Sequence, residues 1–153
     1  MHPDDMDTEL QAWNNGTGVS LETWIACEGN LKLAVGYTTV FWPRFKVLED
    51  YIVREHVTLD NVRAFEKRCR GPKIGGEAVL NHLHIADVHA SGEPQLTADR
   101  IRFLMPILKE IYEAKLAWQF PMRPCVVSLN YPEEKQSLVD YQITFWQRKH
   151  EDA

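Results

Sequence analysis

Apolar residues recur at helical spacing in several stretches of the chain, and a residue that favours the N-cap of a helix precedes each one. Ser20 precedes a short helix that Gly29 should end. Thr58 precedes a second helix, which Gly71 and Pro72 should terminate. The apolar side of this second helix consists of Leu59, Val62, Phe65 and Cys69. The caps and the periodicity together predict helices at 21–28 and from residue 59.

The longest predicted helix begins after Thr97. Its apolar stripe is expected to contain Ile101, Leu104, Leu108, Ile111 and Trp118. Pro106 lies inside this stretch, and a proline in a helix interior removes a backbone donor and crowds the preceding turn. The sequence therefore predicts either a kink at this proline or two helices that meet there.

Two earlier stretches fit both helix and strand. Residues 30–42 alternate as a strand would, but they also carry a helical stripe, with Asn30 as a cap and Pro43 as a stop. We favour a helix there. Residues 45–54 could form a helix or a hairpin, and the aromatic and β-branched residues in both arms favour the hairpin.

After Pro121 the pattern changes to the alternation of β-strands. Cys125, Val127 and Leu129 form one face of the first strand, and the second strand covers 139–146, with a polar turn between them. The predicted fold class is α+β, with several helices packed on a small antiparallel sheet formed mainly by this C-terminal hairpin. Residues 1–18 are predicted to be an acidic mobile leader and 19–150 a single globular domain.

Composition restricts the classes of function. The chain has 153 residues and a net charge of −5, which argues against a general nucleic-acid binder. Its cysteines, Cys27, Cys69 and Cys125, form no C-x-x-C pair and fit a reducing compartment. No stretch approaches the roughly 20 apolar residues that cross a bilayer. We therefore expect a soluble cytoplasmic protein without membrane association.

Polar residues with chemical potential concentrate in the segment 71–92. Leu80, Leu83 and Ala86 share one helical face, so a helix is favoured over a strand. Residues two apart on a helix point about 200° away from each other, and His82 and His84 could then not share a metal ion. This helix would provide no complete metal site, and no cofactor is predicted. The structural alternative has Asn81 and His84 bonding backbone groups.

The candidate site residues follow from this segment and from two other features. If the chain were an enzyme, Glu77 and His84 would transfer protons. If it bound a metal, the ligands would come from His82, His84, Asp87 and His89. The candidate binding residues are Asn81, the basic helical stripe of Arg63, Lys67 and Arg70, and Trp146 on the polar side of the last strand. The stripe has a second interpretation as a solvated face, and Trp146 as an edge residue covered by a helix.

Function remains divided between two hypotheses. The sequence contains no nucleophile elbow, P-loop, HExxH pattern or dinucleotide fingerprint. Its charge is asymmetric, acidic before Lys32 and basic around residues 63–73, which suits electrostatic docking or self-association. The favoured hypothesis is a non-catalytic protein that binds another protein, with a homo-oligomer as one form of this. The alternative is a metal- or anion-binding enzyme that uses residues 77–89 and the basic stripe.

Overall fold

The computed structural model describes residues 8–68, 73–89, 96–133 and 137–151, except for the side chains of Arg68 and Ile74. The chain divides into two compact units, Met1–Thr39 and Val40–Ala153. The predicted division at residue 18 stays a prediction. Part of the predicted mobile leader, residues 1–7, lies outside the described residues.

The first unit is helical. A 3-10 helix, Thr8–Ala12, leads into the single turn α1, Trp13–Gly16, and α2 spans Leu21–Glu28. The Ser20 hydroxyl accepts a hydrogen bond from the Thr23 amide at 3.2 Å, as a helix cap should. Helix α3, Leu31–Phe41, begins in this unit and ends in the next. Its cap is also the predicted one, because the Asn30 side chain accepts from the Lys32 amide at 2.9 Å.

The second unit begins with the predicted hairpin. Strands β1, Phe45–Leu48, and β2, Tyr51–Arg54, pair antiparallel with Leu48 opposite Tyr51. Helix α4, Leu59–Arg68, follows its predicted cap, Thr58, and α5 spans Lys73–Asn81. The predicted terminators Gly71 and Pro72 lie outside the described residues.

The predicted helix over residues 77–90 is wrong beyond Asn81. Residues Leu83–His84 form a short strand, β3, and Ile85–Val88 form a 3-10 helix. Strand β3 pairs antiparallel with the last strand, where His84 lies opposite Gln142. This pairing provides backbone hydrogen bonds that only an extended conformation can use. Local helical periodicity could not show it.

The rest of the second unit is a long helix and the C-terminal hairpin. Helix α6, Ala98–Gln119, is one continuous helix through Pro106, so the alternative of two helices meeting there is wrong, and the alternative of a kink stays a prediction. Strand β4, Cys125–Asn130, pairs antiparallel with β5, Gln142–Gln147. The sheet order is β3-β5-β4, and β1 and β2 form a separate two-stranded sheet. The predicted α+β class, with helices and small antiparallel sheets, is confirmed.

The main core lies between α6 and the three-stranded sheet. The buried residues of α6 are Ile101, Met105, Leu108, Tyr112, Lys115 and Leu116. This stripe is rotated from the predicted one, because Trp118 has 70% of its surface exposed and does not belong to the core. The sheet contributes Val127, Ile143 and Phe145. Among the described residues, no helix has the length and apolar character needed to cross a membrane.

Candidate functional site

Helix α5 places two polar side chains in the protein interior. Glu77 and Asn81 lie one helical turn apart, and each has 0% of its surface exposed. A buried charge or amide is stable only when hydrogen bonds replace its contacts with water. The partners of these two residues therefore decide whether the segment is available for chemistry.

Four hydrogen-bond partners surround the carboxylate of Glu77. Its Oε1 accepts from the Ile52 amide at 2.7 Å and from Gln147 Nε2 at 2.9 Å. Its Oε2 accepts from the Gln147 amide at 2.8 Å and lies 2.7 Å from His150 Nδ1. Glu77 thus joins β2 of the hairpin to the end of β5. Both oxygens are engaged by groups of the fold itself.

Asn81 makes the same connection one turn later. Its Nδ2 donates to the Ile52 carbonyl at 2.8 Å and to the Phe145 carbonyl at 3.3 Å. Its Oδ1 accepts from the Arg54 amide at 3.2 Å. These contacts satisfy backbone groups that β2 and β5 would otherwise leave without a partner, since the two strands belong to different sheets. This arrangement matches the structural alternative that the sequence left open for Asn81.

A second carboxylate lies at the outer end of this network. His150 is buried, and its Nε2 is 3.4 Å from Asp50 Oδ2. Asp50 also accepts hydrogen bonds from Lys149 and, at 2.9 Å, from Lys73. The ammonium of Lys149, followed by that of Lys73, holds the pKa of Asp50 well below its usual range. The network therefore runs from a buried carboxylate through an imidazole to a charged surface cluster.

His84 lies in β3 and His82 lies immediately before this strand, and their rings are next to each other. The ring centroids of His82 and His84 are 5.1 Å apart, with an interplanar angle of 83°. Nδ1 of His82 is hydrogen-bonded to the Val79 carbonyl, and Nδ1 of His84 to the Val139 carbonyl. The expectation that a helix would separate these two rings is wrong, because the backbone is extended at β3.

The other candidate ligands do not complete a cluster. Asp87 lies in the 3-10 helix after β3, and His89 follows that helix. Within the described ranges, no group of three or more histidine, cysteine, aspartate or glutamate side chains is placed to hold a metal ion. The structure therefore brings together two of the four candidates, His82 and His84.

Ion pairs occupy one residue of the predicted basic stripe on α4, Arg63. Arg63 contacts Glu49 and, at 3.2 Å, Glu66. Lys67 is exposed on the same helix, and Arg70 lies outside the described residues. Since the charge of Arg63 is already neutralised within the chain, the stripe is less available to an external anion than the sequence suggested.

Trp146 is half-buried on β5, and its indole nitrogen donates to Glu151 at 3.0 Å.

Two other tryptophans, Trp42 and Trp118, lie near the end of α6 beside one lysine. The ammonium of Lys115 is 4.7 Å from the ring centroid of Trp42 and 4.5 Å from that of Trp118. This cation-π contact holds the amine of a buried lysine against two exposed rings.

An open cavity of about 300 Å³ lies between α4 and α5, with His56 among its lining residues. Burial lowers the pKa of His56, and Arg54 adds to this effect. The lining is otherwise mainly apolar, from Val57, Ala64, Phe65, Val79 and Leu80. One imidazole with no carboxylate in the lining provides no acid-base pair.

The two described thiols differ in exposure. Burial raises the pKa of Cys125 to about 12, which leaves it protonated near neutral pH. Cys27 is exposed, and Cys69 lies outside the described residues. Cys125 therefore fits the role of a small side chain packed against the core.

Sequence reasoning missed the residues that complete the Glu77 network. His150 and Gln147 are distant from Glu77 in the chain, and neither forms part of a local motif. Their one signal was a polar residue, Gln147, at the position where the alternation of the last strand requires a buried side chain.

The exposed apolar surface of α2 and α3 was also missed. Neither helix contains a buried residue, although both are described throughout. Leu31 has 82% and Val35 65% of its surface exposed.

Comparison of the chain with protein-family models, curated proteins and solved structures finds no match.

Proposed function

We propose that this chain is a non-catalytic cytoplasmic protein that acts by binding another protein through the apolar surface of α2 and α3, residues 21–41. The exposure of α3 carries the proposal. Leu31, Leu33 and Val35 are each more than half exposed, and they do not lie on one side of the helix. Leu31 and Val35 share one side and Leu33 lies on the opposite side, so apolar area is in contact with water on two sides of the helix.

It is unusual for a helix with so few charged residues to expose its apolar side chains to water. The sequence of α3, LKLAVGYTTVF, has Lys32 as its one charged residue, and helices that are apolar on all sides are normally buried. Helices of this length are also marginally stable in water without packing partners. Burial of apolar area against a partner removes it from water and is favourable. A partner that packs on α3 would therefore bury its apolar area and stabilise its helical conformation.

The charges around α3 indicate the chemistry of the partner. Helix α2 contains Glu22 and Glu28, and no lysine or arginine precedes Lys32 in the sequence. An apolar groove with basic residues at its rim would fit this combination, in the mode by which helices bind grooves. A second copy of the chain is a weaker candidate, because the Arg63 of its basic stripe is already paired.

Proton transfer by Glu77 and His84, which the enzymatic alternative requires, has no comparable observation in its favour among the described residues. Glu77 has four hydrogen-bond partners within the fold, while His84 lies on β3 beside His82. The two groups named for proton transfer thus have separate surroundings. Glu77 would have to give up several buried hydrogen bonds before it could accept a proton from a substrate.

A double substitution, Leu31→Glu with Val35→Glu, tests the proposal. The two positions are one turn apart, so the carboxylates would place charge in the middle of the contact and prevent its desolvation. We expect loss of a partner that wild-type protein retains in pull-down from extracts of its own cells at ordinary salt. The circular dichroism of the variant should remain close to that of wild type, because both side chains are exposed.

The matched control is Val139→Glu, which places a carboxylate at another exposed valine in the second unit. This variant should retain the partner. The proposal is contradicted if the α3 variant retains the same partner as wild type, or if the control loses it equally.

A further inference from the structure

The pair formed by His82 and His84 has the geometry of an incomplete metal site. Helix α5 ends at Asn81, and β3 pairs with β5 immediately afterwards. Side chains two residues apart in extended backbone point to the same side. Leu83, between them, packs on the main core. Both imidazoles are therefore directed away from the core, and the two rings meet at 5.1 Å.

Hydrogen bonding fixes which nitrogen of each ring is available. The Val79 and Val139 carbonyls, which contact Nδ1 of His82 and of His84, can only accept a hydrogen bond. Nδ1 of each neutral ring must then carry the proton, and Nε2 carries the lone pair. A backbone carbonyl on the distal nitrogen is the common outer-shell arrangement of metal-binding histidines. Here it is present on both rings.

The separation of the rings suits a shared ion. Imidazole nitrogens lie about 2.0 to 2.1 Å from zinc, and two rings at a tetrahedral angle around one ion have centroids roughly 5 Å apart. The observed separation is 5.1 Å. His82 is exposed and His84 half-buried, so an ion could reach them from solvent.

We propose that His82 and His84 together bind one late first-row divalent transition-metal ion through their Nε2 atoms. Imidazole favours copper, nickel and zinc, and copper(II) is bound most tightly in this series. No third histidine, cysteine, aspartate or glutamate side chain is placed to join this pair among the described residues, so water fills the remaining positions. The site is independent of α2 and α3 and goes beyond the proposed function.

Copper(II) alone is the probe for this site. Titration should be followed by calorimetry and by electron paramagnetic resonance, in a His2→Ala background that removes a histidine near the amino terminus. We expect one ion per chain, with the splitting pattern of two imidazole nitrogens. His82→Asn and His84→Asn retain a side-chain N–H that can donate to the carbonyl, and each should lower the affinity about tenfold or more.

His56→Ala is the matched control, since it removes an imidazole elsewhere in the second unit, and it should leave binding unchanged. A second readout requires no metal. Long-range ¹H–¹⁵N spectra of the apoprotein should show the Nδ1–H tautomer for both rings. The proposal is overturned if the His82→Asn, His84→Asn double variant binds copper as the parent does, which would mean an adventitious ion only, or if the parent binds none.

Discussion

Replacing Glu77 with alanine should lower the free energy of unfolding by about 3 to 5 kcal/mol, because each buried donor left without an acceptor costs about 1 to 3 kcal/mol. The substitution leaves the Ile52 and Gln147 amides and the His150 ring without their buried acceptor. Since domains of this size are typically stable by about 5 to 15 kcal/mol, much of the total would be lost. Urea denaturation followed by circular dichroism measures the change.

Glu110→Ala is the matched control, because Glu110 is an exposed glutamate on α6. Surface substitutions of this kind change stability by about 0.5 kcal/mol or less. Glu77→Gln should be intermediate, as it retains one acceptor oxygen but places an NH₂ group against backbone donors. If Glu77→Ala unfolds at the wild-type urea concentration, the carboxylate does not join the two sheets in the way described.

The second large effect is expected for Phe145→Ala, with a loss of about 3 to 5 kcal/mol. Phe145 is fully buried on β5, and its ring centroid lies 4.9 Å from the ring centroid of Phe45 and 6.5 Å from that of Tyr112. Truncation removes these edge-to-face contacts and leaves a cavity between α6 and the sheet. The same denaturation experiment measures it.

Trp118→Ala is the informative comparison for this core variant. The sequence placed Trp118 in the buried stripe of α6, whereas the structure leaves 70% of its surface exposed. Its loss should cost less than about 1 kcal/mol, mainly through the cation-π contact with Lys115. Equal losses for Phe145→Ala and Trp118→Ala would mean that α6 presents a different face to the core.

Local signals predicted most of the helices and strands. Ser20, Asn30 and Thr58 each cap a helix through the hydrogen bond that their type suggested, and this resolved the ambiguous stretch 30–42 as helix. The alternation around Ile143 and Phe145 likewise predicted the buried face of β5. A cap or an alternating strand depends on residues close in sequence, which makes it readable without coordinates.

Long-range pairing explains the errors. Residues 82–90 carry a helical pattern, but Leu83 and His84 pair with Ile143 and Gln142, and nothing near residue 83 announces that partner. The rotated stripe on α6 has a similar origin. Met105 and Tyr112 are buried because the position of the sheet selects their side of α6. The spacing of apolar residues along the helix would equally allow a neighbouring side to be buried.

The candidate site was predicted in part for the same reason. Clustering in sequence identified Glu77 and Asn81 as unusual, and both are buried. Their partners on β2 and β5 are distant in sequence, and a buried carboxylate has no local pattern that reveals its donors. The juxtaposition of His82 and His84 depended on where α5 ends, which the sequence did not indicate.

Photo-crosslinking from α3 tests the central claim most directly, since that claim is that the exposed apolar side chains of this helix contact another protein. A photoreactive amino acid at Val35 is compared with the same group at Val139, another exposed valine. Irradiation of the full chain in its own cells should give a discrete adduct with a second polypeptide from position 35 and none from position 139. No adduct from position 35, or the same adduct from both positions, would contradict the account.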